Sequence, residues 1–375
     1  MKILLTGGGS GGHFYPIIAV AEEINRIVKD EKLIAPQLFF MSDYPYDKGA
    51  LIENNITFVK SRAGKMRKYF SILNVIDAIR TLIGVVSALI KVYRIYPDVI
   101  FSKGAYASFP VLVAAKFFRI PVVIHESDSV PGRVNEWAGK FAEKIAVSYP
   151  DAVKFFDPAK TAFTGNPIRK EILNPITSGA HEFLKLETNL PVILILGGSL
   201  GAQIINDAIV EALPALVENY QIIHQTGKNN IKGALQMADI VLAGNPKGSR
   251  YKPFDYLNNL AMSMSAGVAD LVISRAGSAI FEIAAWGIPS IIIPITNSVS
   301  NHQRMNAYSY ARSGAAIVIE ESNLSDNILV SEANRIIRNK TESDRMRKNA
   351  KEFAKIGAAE KIAREIIHIA LKHER

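Results

Sequence analysis

One pattern constrains the fold more than any other. A short apolar run, a glycine cluster and a segment with helical apolar spacing follow one another, and the sequence holds this order twice. Residues 3–6 lead into Gly7-Gly8-Gly9-Ser10-Gly11-Gly12, and from Pro16 onward Ile17, Val20, Ala21, Ile24 and Val28 recur on one helix face. Residues 191–196 lead into Gly197-Gly198-Ser199-Leu200-Gly201-Ala202. A strand that turns through glycines into a helix is the unit of a doubly wound parallel sheet.

Further short apolar runs fall at residues 38–41, 57–60, 99–102, 122–125 and 145–148 in the first half. In the second half they fall at 222–224, 271–274, 291–294 and 316–319. Several are apolar on both faces, as parallel strands covered by helices must be. At 375 residues and 49% apolar content the chain can bury two cores, and 21% charged residues leave no room for a large disordered segment. The expected fold class is α/β: two Rossmann-like, doubly wound parallel-sheet domains facing across a cleft. The expected domains are residues 1–168 and 169–375, with the changeover near 165–174. The last helix is left free to pack back on the first domain.

The net charge of +9 calls for an acidic partner: a nucleic acid, an anionic membrane or a phosphorylated substrate. No nucleic-acid motif accompanies the charge, so nucleic acid is not expected. The absence of cysteine excludes disulfides and Cys-ligated metals. The apolar start is shorter than the roughly 7–15 residues of a signal h-region. The apolar stretch 81–93 is shorter than the roughly 20 residues of a spanning helix, so a soluble or peripherally bound protein is expected. Residues 61–96 carry Arg62, Lys65, Arg67, Lys68, Arg80, Lys91 and Arg94 against a single acid, Asp77, with many apolar residues between. Residues 66–73 are expected to touch an anionic membrane surface, and residues 82–93 to pack inside.

Glycine loops at helix starts offer unpaired N–H groups and a positive dipole end to an anion. No Gly-Lys-Ser/Thr follows either loop, which disfavours ATP hydrolysis. Asp43 keeps a dinucleotide reading open. Two such loops suit a donor diphosphate in one domain and an acceptor in the other. The chain has no Asp-x-Asp and no spaced ligand cluster around His125 or His302, so neither a metal nor another cofactor is expected. Leaving-group charge would then fall to Arg169 and the second loop, with Arg275 either a helper or part of an ion pair. His13, Glu126 and Asp128 compete for the role of catalytic base, and Glu126 is equally suited to capping a neighbouring helix. Glu282, amid Ile280, Phe281, Ile283 and Ala284, needs a polar partner: a ribose diol or a salt bridge.

Seven motifs taken together resemble the MurG family. They are residues 6–13 (Thr-Gly-Gly-Gly-Ser-Gly-Gly-His), Lys103-Gly104-Ala105-Tyr106-Ala107-Ser108, Ile124-His125-Glu126-Ser127-Asp128, Thr164-Gly165-Asn166-Pro167-Ile168-Arg169, Gly197 to Ala202, Ser274-Arg275-Ala276-Gly277-Ser278 with Glu282, and Asn301-His302-Gln303 with Asn306. The likeness spans nearly the whole chain. It implies a GT-B fold and inverting, metal-free transfer of N-acetylglucosamine from UDP-GlcNAc to the MurNAc C4 hydroxyl of undecaprenyl-linked lipid I. It also implies a peripheral place on the cytoplasmic face of the cell membrane. By the same resemblance, the first domain takes the acceptor and the membrane, and the second the UDP-sugar. Ser10, Gly11 and Gly12 then lie beside the sugar, and Arg169 and Ser199 at the nucleotide and its phosphates. The backbone of Phe254 meets the uracil, Gly277 and Ser278 form the nucleotide loop, Glu282 binds the ribose and Gln303 the donor sugar. Two departures stand out. The spacing from Phe254 to Arg275 is longer than in familiar members, and Asp128 stands where some carry Asn. A diacylglycerol-type glycolipid transferase and a UDP-GlcNAc 2-epimerase-like enzyme share the donor half and remain alternatives. An oxidoreductase and a catalytically silent nucleotide-sugar binder are more distant ones.

Overall fold

The computed structural model describes residues 1–373 apart from 9, 65–72, 199–200 and 297–300, and only the backbone of 73–76, 78 and 373. The chain divides into two compact units: Met1–Arg169 with Ile356–Arg375, and Lys170–Lys355.

In the first unit the elements run β1 (Lys2–Thr6), α1 (Gly11–Asp30), β2 (Gln37–Ser42), α2 (Lys48–Glu53), β3 (Ile56–Lys60), α3 (Leu73–Ile95), β4 (Val99–Ser102), α4 (Phe109–Phe118), β5 (Val122–Glu126), α5 (Arg133–Gly139), β6 (Lys144–Val147) and β7 (Thr161–Phe163). The strands form one sheet in the order β3-β2-β1-β4-β5-β6-β7, every pair parallel. The second unit holds α6 (Lys170–Leu173), α7 (Ala180–Phe183), β8 (Val192–Leu196), α8 (Gln203–Leu216), β9 (Gln221–Gln225), α9 (Ile231–Val241), β10 (Tyr251–Phe254), α10 (Asn259–Val268), β11 (Ala269–Ser274), α11 (Ala279–Trp286), β12 (Ser290–Ile292), α12 (His302–Ala311), β13 (Ala316–Val318), α13 (Asp326–Arg338) and α14 (Lys340–Phe353). Its sheet runs β10-β9-β8-β11-β12-β13, again all parallel. The final helix, α15 (Ala358–His373), belongs to the first unit.

The double-sided apolar runs explain the layering. Along β1, Ile3 and Leu5 face one core with α1 and α15, whereas Leu4 faces the other with Ile100, Leu112 and Val122. In the second unit Ile193 and Ile195 face α8 and α13, and Leu194 faces the layer of α10, α11 and α14. Each fully buried aliphatic side chain contributes roughly 1.5–3 kcal/mol, so a strand buried on both faces cannot be moved to an edge without large loss.

Helix α1 begins at Gly11, with Pro16 inside it. Two readings of the sequence need correcting. Strands β7 and β10 were not expected. The stretch 82–93 does not simply pack inside. Only Gly84, Ala88 and Val92 of α3 are buried there, while Leu82, Ile83, Val86, Ile90 and Tyr93 are exposed. With a helical repeat of 3.6, Gly84, Ala88 and Val92, four apart, share the inner face.

Candidate active site

All strands of each sheet point the same way, so loops leaving their carboxyl ends collect along one edge, where α/β sheets place their ligands. In the first unit, Ser10 is the N-cap of α1 in extended conformation, and its carbonyl accepts from His13 N and Phe14 N at 3.1 Å each. Gly11 is buried, while Ser10, Gly12 and His13 are half-buried. The His13 Nδ1 atom is buried without a hydrogen-bond partner. Burial and the Lys103 charge lower the His13 pKa, while Asp128 and a hydrogen bond to the Lys103 backbone raise it. A histidine at a strand-edge loop is of the type that can take a proton from a substrate hydroxyl when its ring is neutral.

The β5 end supplies Glu126 and Asp128. Glu126 is buried, and its oxygens accept from Asp128 N (2.9 Å), Gly132 N (3.0 Å) and Asn135 Nδ2 (3.0 Å). Those contacts tie the loop between β5 and α5, which suits the carboxylate to holding the loop more than to proton transfer. Burial first, then the Asp128 charge, raise its pKa against these donors. Asp128 is half-buried beside His13 and Lys103, on which it acts electrostatically. The guanidinium of Arg169 lies 3.8 Å from the ring centre of Tyr15 on α1, a cation–π contact that holds it at the same edge.

Three residues of this edge escaped assignment from the sequence: Lys103, His125 and Asn166. Lys103 is 1% exposed, and its Nζ meets His125 Nδ1 at 2.6 Å, Ser127 Oγ, and Asn166 Oδ1 at 3.4 Å. His125 Nε2 faces the carbonyl of Gly165 at 3.0 Å, which can only accept. Nε2 therefore carries the proton and Nδ1 accepts from the lysine. Burial and Lys103 hold the His125 pKa well below its usual value. Burial brings the Lys103 pKa down to about 7 against the pull of Glu126 and Asp128. Their sequence signal was their place in the motifs that begin at Lys103, Ile124 and Thr164.

In the second unit, the loop after β8 turns through Gly198 (φ +81°) and Gly201 (φ +76°) into α8. A Cβ on Gly201 would lie 2.2 Å from Thr226 O, so only glycine fits. Ser199 lies outside the described residues. Phe254 ends β10 half-buried, and its carbonyl accepts from Thr226 N (2.9 Å) and Thr226 Oγ1 (3.1 Å). Gly277 and Ser278 lead into α11, and Glu282 in its first turn is half-buried between buried Ile280, Phe281 and Ile283. Gln303 Oε1 accepts from Ile295 N at 3.3 Å, and buried Asn306 Nδ2 donates to Ala276 O at 3.2 Å, fixing α12 against the loop before α11. Arg275 pairs with Glu321 at 2.6 Å and donates to Ile293 O at 3.1 Å. The ion-pair alternative is the one it adopts. The structure thus gathers Gly277, Ser278, Glu282 and Gln303 at the ends of β11 and β12, with Phe254 two strands beyond β8. Among the described residues no three His, Asp or Glu side chains gather as a metal site.

Two family models match the chain. Residues 3–147 match the glycosyltransferase family 28 N-terminal domain, and residues 192–362 the glycosyltransferase family 28 C-terminal domain. Relatives carry the comparison further. The UDP-N-acetylglucosamine–N-acetylmuramyl-(pentapeptide) pyrophosphoryl-undecaprenol N-acetylglucosamine transferase 3 of Bacillus thuringiensis (strain Al Hakam) is 38% identical over 331 residues, 88% of this chain and 89% of the relative. The transferase of the same name from Clostridium novyi (strain NT) is 35% identical over 342 residues, 90% of this chain and 91% of the relative. The chain belongs to the MurG family of glycosyltransferases. The crystal structure of Acinetobacter baumannii MurG superposes with a TM-score of 0.72 at 22% identity, covering 98% of this chain and 99% of that one. UDP-GlcNAc 2-epimerase from Neisseria meningitidis shares the fold with a TM-score of 0.67 at 13% identity, covering 98% and 100%. The two-sheet architecture is that of GT-B proteins.

Proposed function

We propose that the protein transfers N-acetylglucosamine from UDP-GlcNAc to the MurNAc C4 hydroxyl of undecaprenyl-linked lipid I, with inversion and without a metal, at an anionic membrane surface. The observation that carries this reading is the buried, unpartnered Nδ1 of His13 at the end of a glycine loop, in a chain whose relatives bear that transferase's name. In the reaction the acceptor O–H bond breaks and its proton passes to His13. The oxygen bonds to the anomeric carbon from the face opposite the diphosphate, and the C1–O bond breaks with its electron pair on UDP. Such a displacement inverts the carbon. The first unit supplies the acceptor side through Ser10, Gly11, Gly12 and His13, with Asp128 close enough to stabilise the imidazolium that forms. In the second unit the Gly197 loop with Ser199, aided by Arg169 and the N-terminus of α8, holds the diphosphate. Glu282 takes the ribose hydroxyls, Gln303 the donor sugar, and the backbone at Phe254 the base.

No helix among the described residues is long and apolar enough to cross a membrane. Helix α3 nevertheless shows an outward stripe of Ile79, Leu82, Ile83, Val86, Ile90 and Tyr93, with Arg80 and Arg94 beside it. On α4, Phe117 is 72% exposed between Lys116 and exposed Arg119. Apolar side chains within reach of basic ones suit the boundary of an anionic bilayer, where each Lys or Arg adds about 1 kcal/mol. A lipid-borne acceptor would be met there. The basic residues Lys65, Arg67 and Lys68 of the segment first expected to touch lipid lie outside the described residues.

The test is UDP release from purified protein supplied with UDP-GlcNAc and one acceptor at a time. Release with lipid I, and none with diacylglycerol or without acceptor, supports the reading. Donor binding without turnover on lipid I would refute it, and turnover on diacylglycerol would move the protein to the glycolipid class.

A further inference from the structure

Asp43 directly follows β2, where a doubly wound fold can place the acid of a dinucleotide site. Both of its carboxylate oxygens are engaged within the protein instead. Oδ1 accepts from Tyr44 N at 3.1 Å and from Ser42 Oγ at 3.2 Å, and Oδ2 accepts from Tyr106 OH at 2.8 Å. Tyr106 lies 63 residues away, in the turn after β4. In the sheet β1 stands between β2 and β4, so this hydrogen bond links the strand ends on either side of the first glycine loop. Gly8 of that loop lies against both. A Cβ there would be 2.5 Å from Ser42 Oγ, 3.2 Å from Ala107 Cβ and 3.6 Å from Asp43 Oδ1. The turn that delivers Tyr106 is strained. Ala105 has φ +65° and ψ 168°, a region that residues with a Cβ rarely enter and that clusters at active sites and ligand clamps.

We propose that Asp43 is a positioning residue for the acceptor: it holds the Tyr106 phenol beside the first glycine loop as a hydrogen-bond acceptor for a hydroxyl or amide N–H of the acceptor glycan. The proposal rests on the reading of the first unit as the acceptor side. A phenol has one proton. With that proton donated to Asp43, the oxygen can only accept from a substrate group that meets it. A hydrogen bond to a carboxylate is of the stronger kind, which fixes this orientation against exchange with water. Burial first, and then the bond to Asp43, push the Tyr106 pKa up, so the phenol keeps its proton at neutral pH. Asp43 thus sets which partner Tyr106 can read without meeting the substrate itself.

Tyr106→Phe removes the hydroxyl and keeps the ring, and Asp43→Ala removes the carboxylate. Each should raise KM for lipid I roughly five- to twentyfold, with kcat within about twofold and UDP-GlcNAc affinity unchanged. Together they should cost no more than Tyr106→Phe alone, since the carboxylate acts through the phenol. Asp43→Asn can turn an amide N–H toward the phenol oxygen and should raise KM as well; it serves if Asp43→Ala does not fold. Affinity for a short-chain, water-soluble analogue of lipid I, read by calorimetry, should fall by the same factor without turnover. Independent, multiplying effects of the two substitutions overturn the proposal and leave the transferase reading standing. So do losses in kcat or UDP-GlcNAc affinity with unchanged acceptor affinity. Weakened analogue binding in the variants of a protein that does not turn over lipid I upholds the subsite and sinks the transferase reading instead. An analogue that the wild-type protein does not bind overturns both.

Discussion

Lowering the pH from 7 to 5 should cost the second unit about 2 kcal/mol of stability through a single side chain, His224. It sits in the centre of β9 with no exposed surface. Asn206 Nδ2 donates to Thr226 O at 3.0 Å, which turns Asn206 Oδ1 toward His224 Nε2, also at 3.0 Å. Nε2 therefore carries the hydrogen, and Nδ1 accepts from Tyr251 OH at 3.0 Å. The ring is satisfied as the neutral form, and burial lowers its pKa to about 3. The unfolded chain takes up the proton near 6.5 and the folded one does not. The stabilisation is thus complete above 6.5 and is lost as pH falls from there toward 3. Over that interval each pH unit is worth about 1.4 kcal/mol, and the stretch from 7 to 5 integrates to about 2 kcal/mol. The two tryptophans make the assay clean, since Trp137 lies in the first unit and Trp286 in the second. In a Trp137→Phe background, the fluorescence of Trp286, whose Nε1 donates to Ile172 O at 2.7 Å, follows urea unfolding of the second unit alone. Adding His224→Gln should lower stability at pH 7 and flatten its decline toward pH 5. Equal declines with and without the histidine would refute the reasoning.

Other substitutions separate the proposed roles. His13→Ala should lower turnover by about 10²–10⁴ while leaving UDP-GlcNAc affinity within a few-fold, and near-normal turnover would remove it as base. Glu282→Ala should weaken UDP-GlcNAc binding roughly 10- to 100-fold by calorimetry, and unchanged affinity would exclude the ribose contact. Gly201→Ala should cost about 2–4 kcal/mol in unfolding of the second unit and weaken UDP binding, because the added methyl meets a backbone carbonyl at positive φ. An unaffected protein would mean the loop relaxes freely. Replacing Leu82, Val86 and Ile90 by Gln should reduce partition onto anionic vesicles more than tenfold while sparing turnover of a soluble acceptor analogue. Equal partition would place the membrane contact elsewhere.

The inner strands were legible because burial on both faces leaves few residue types available. β8 reads Val-Ile-Leu-Ile-Leu, and little else can sit between two helix layers. The missed strands lie at sheet edges. β7 is three residues with two exposed, and β10 carries Pro253, tolerable only where one side of a strand is unpaired. The glycine loops advertised an anion site, but the Lys103 cluster did not. A lysine is normally a surface residue, and its burial depends on Asn166, 63 residues away, and His125, 22 away. Likewise the place of His224 within an apolar strand implied burial, but its partners Asn206 and Tyr251 come from other elements that no local spacing reveals.

Helix α15 completes the first unit although it follows the second in the chain. Ile362, Ala363, Ile366, Ile367 and Ala370 close the core built on Ile3, Leu5, Ile17 and Val20, and Arg364 reaches Glu31 at 2.7 Å. During synthesis the ribosome makes residues 1–169 first, yet the piece that seals their core emerges only after residues 170–355. The second unit, contiguous in the chain, can finish folding before the first. Until then the first must wait with part of one core, beside α1, still open, a growing chain whose earliest segment is the last to close.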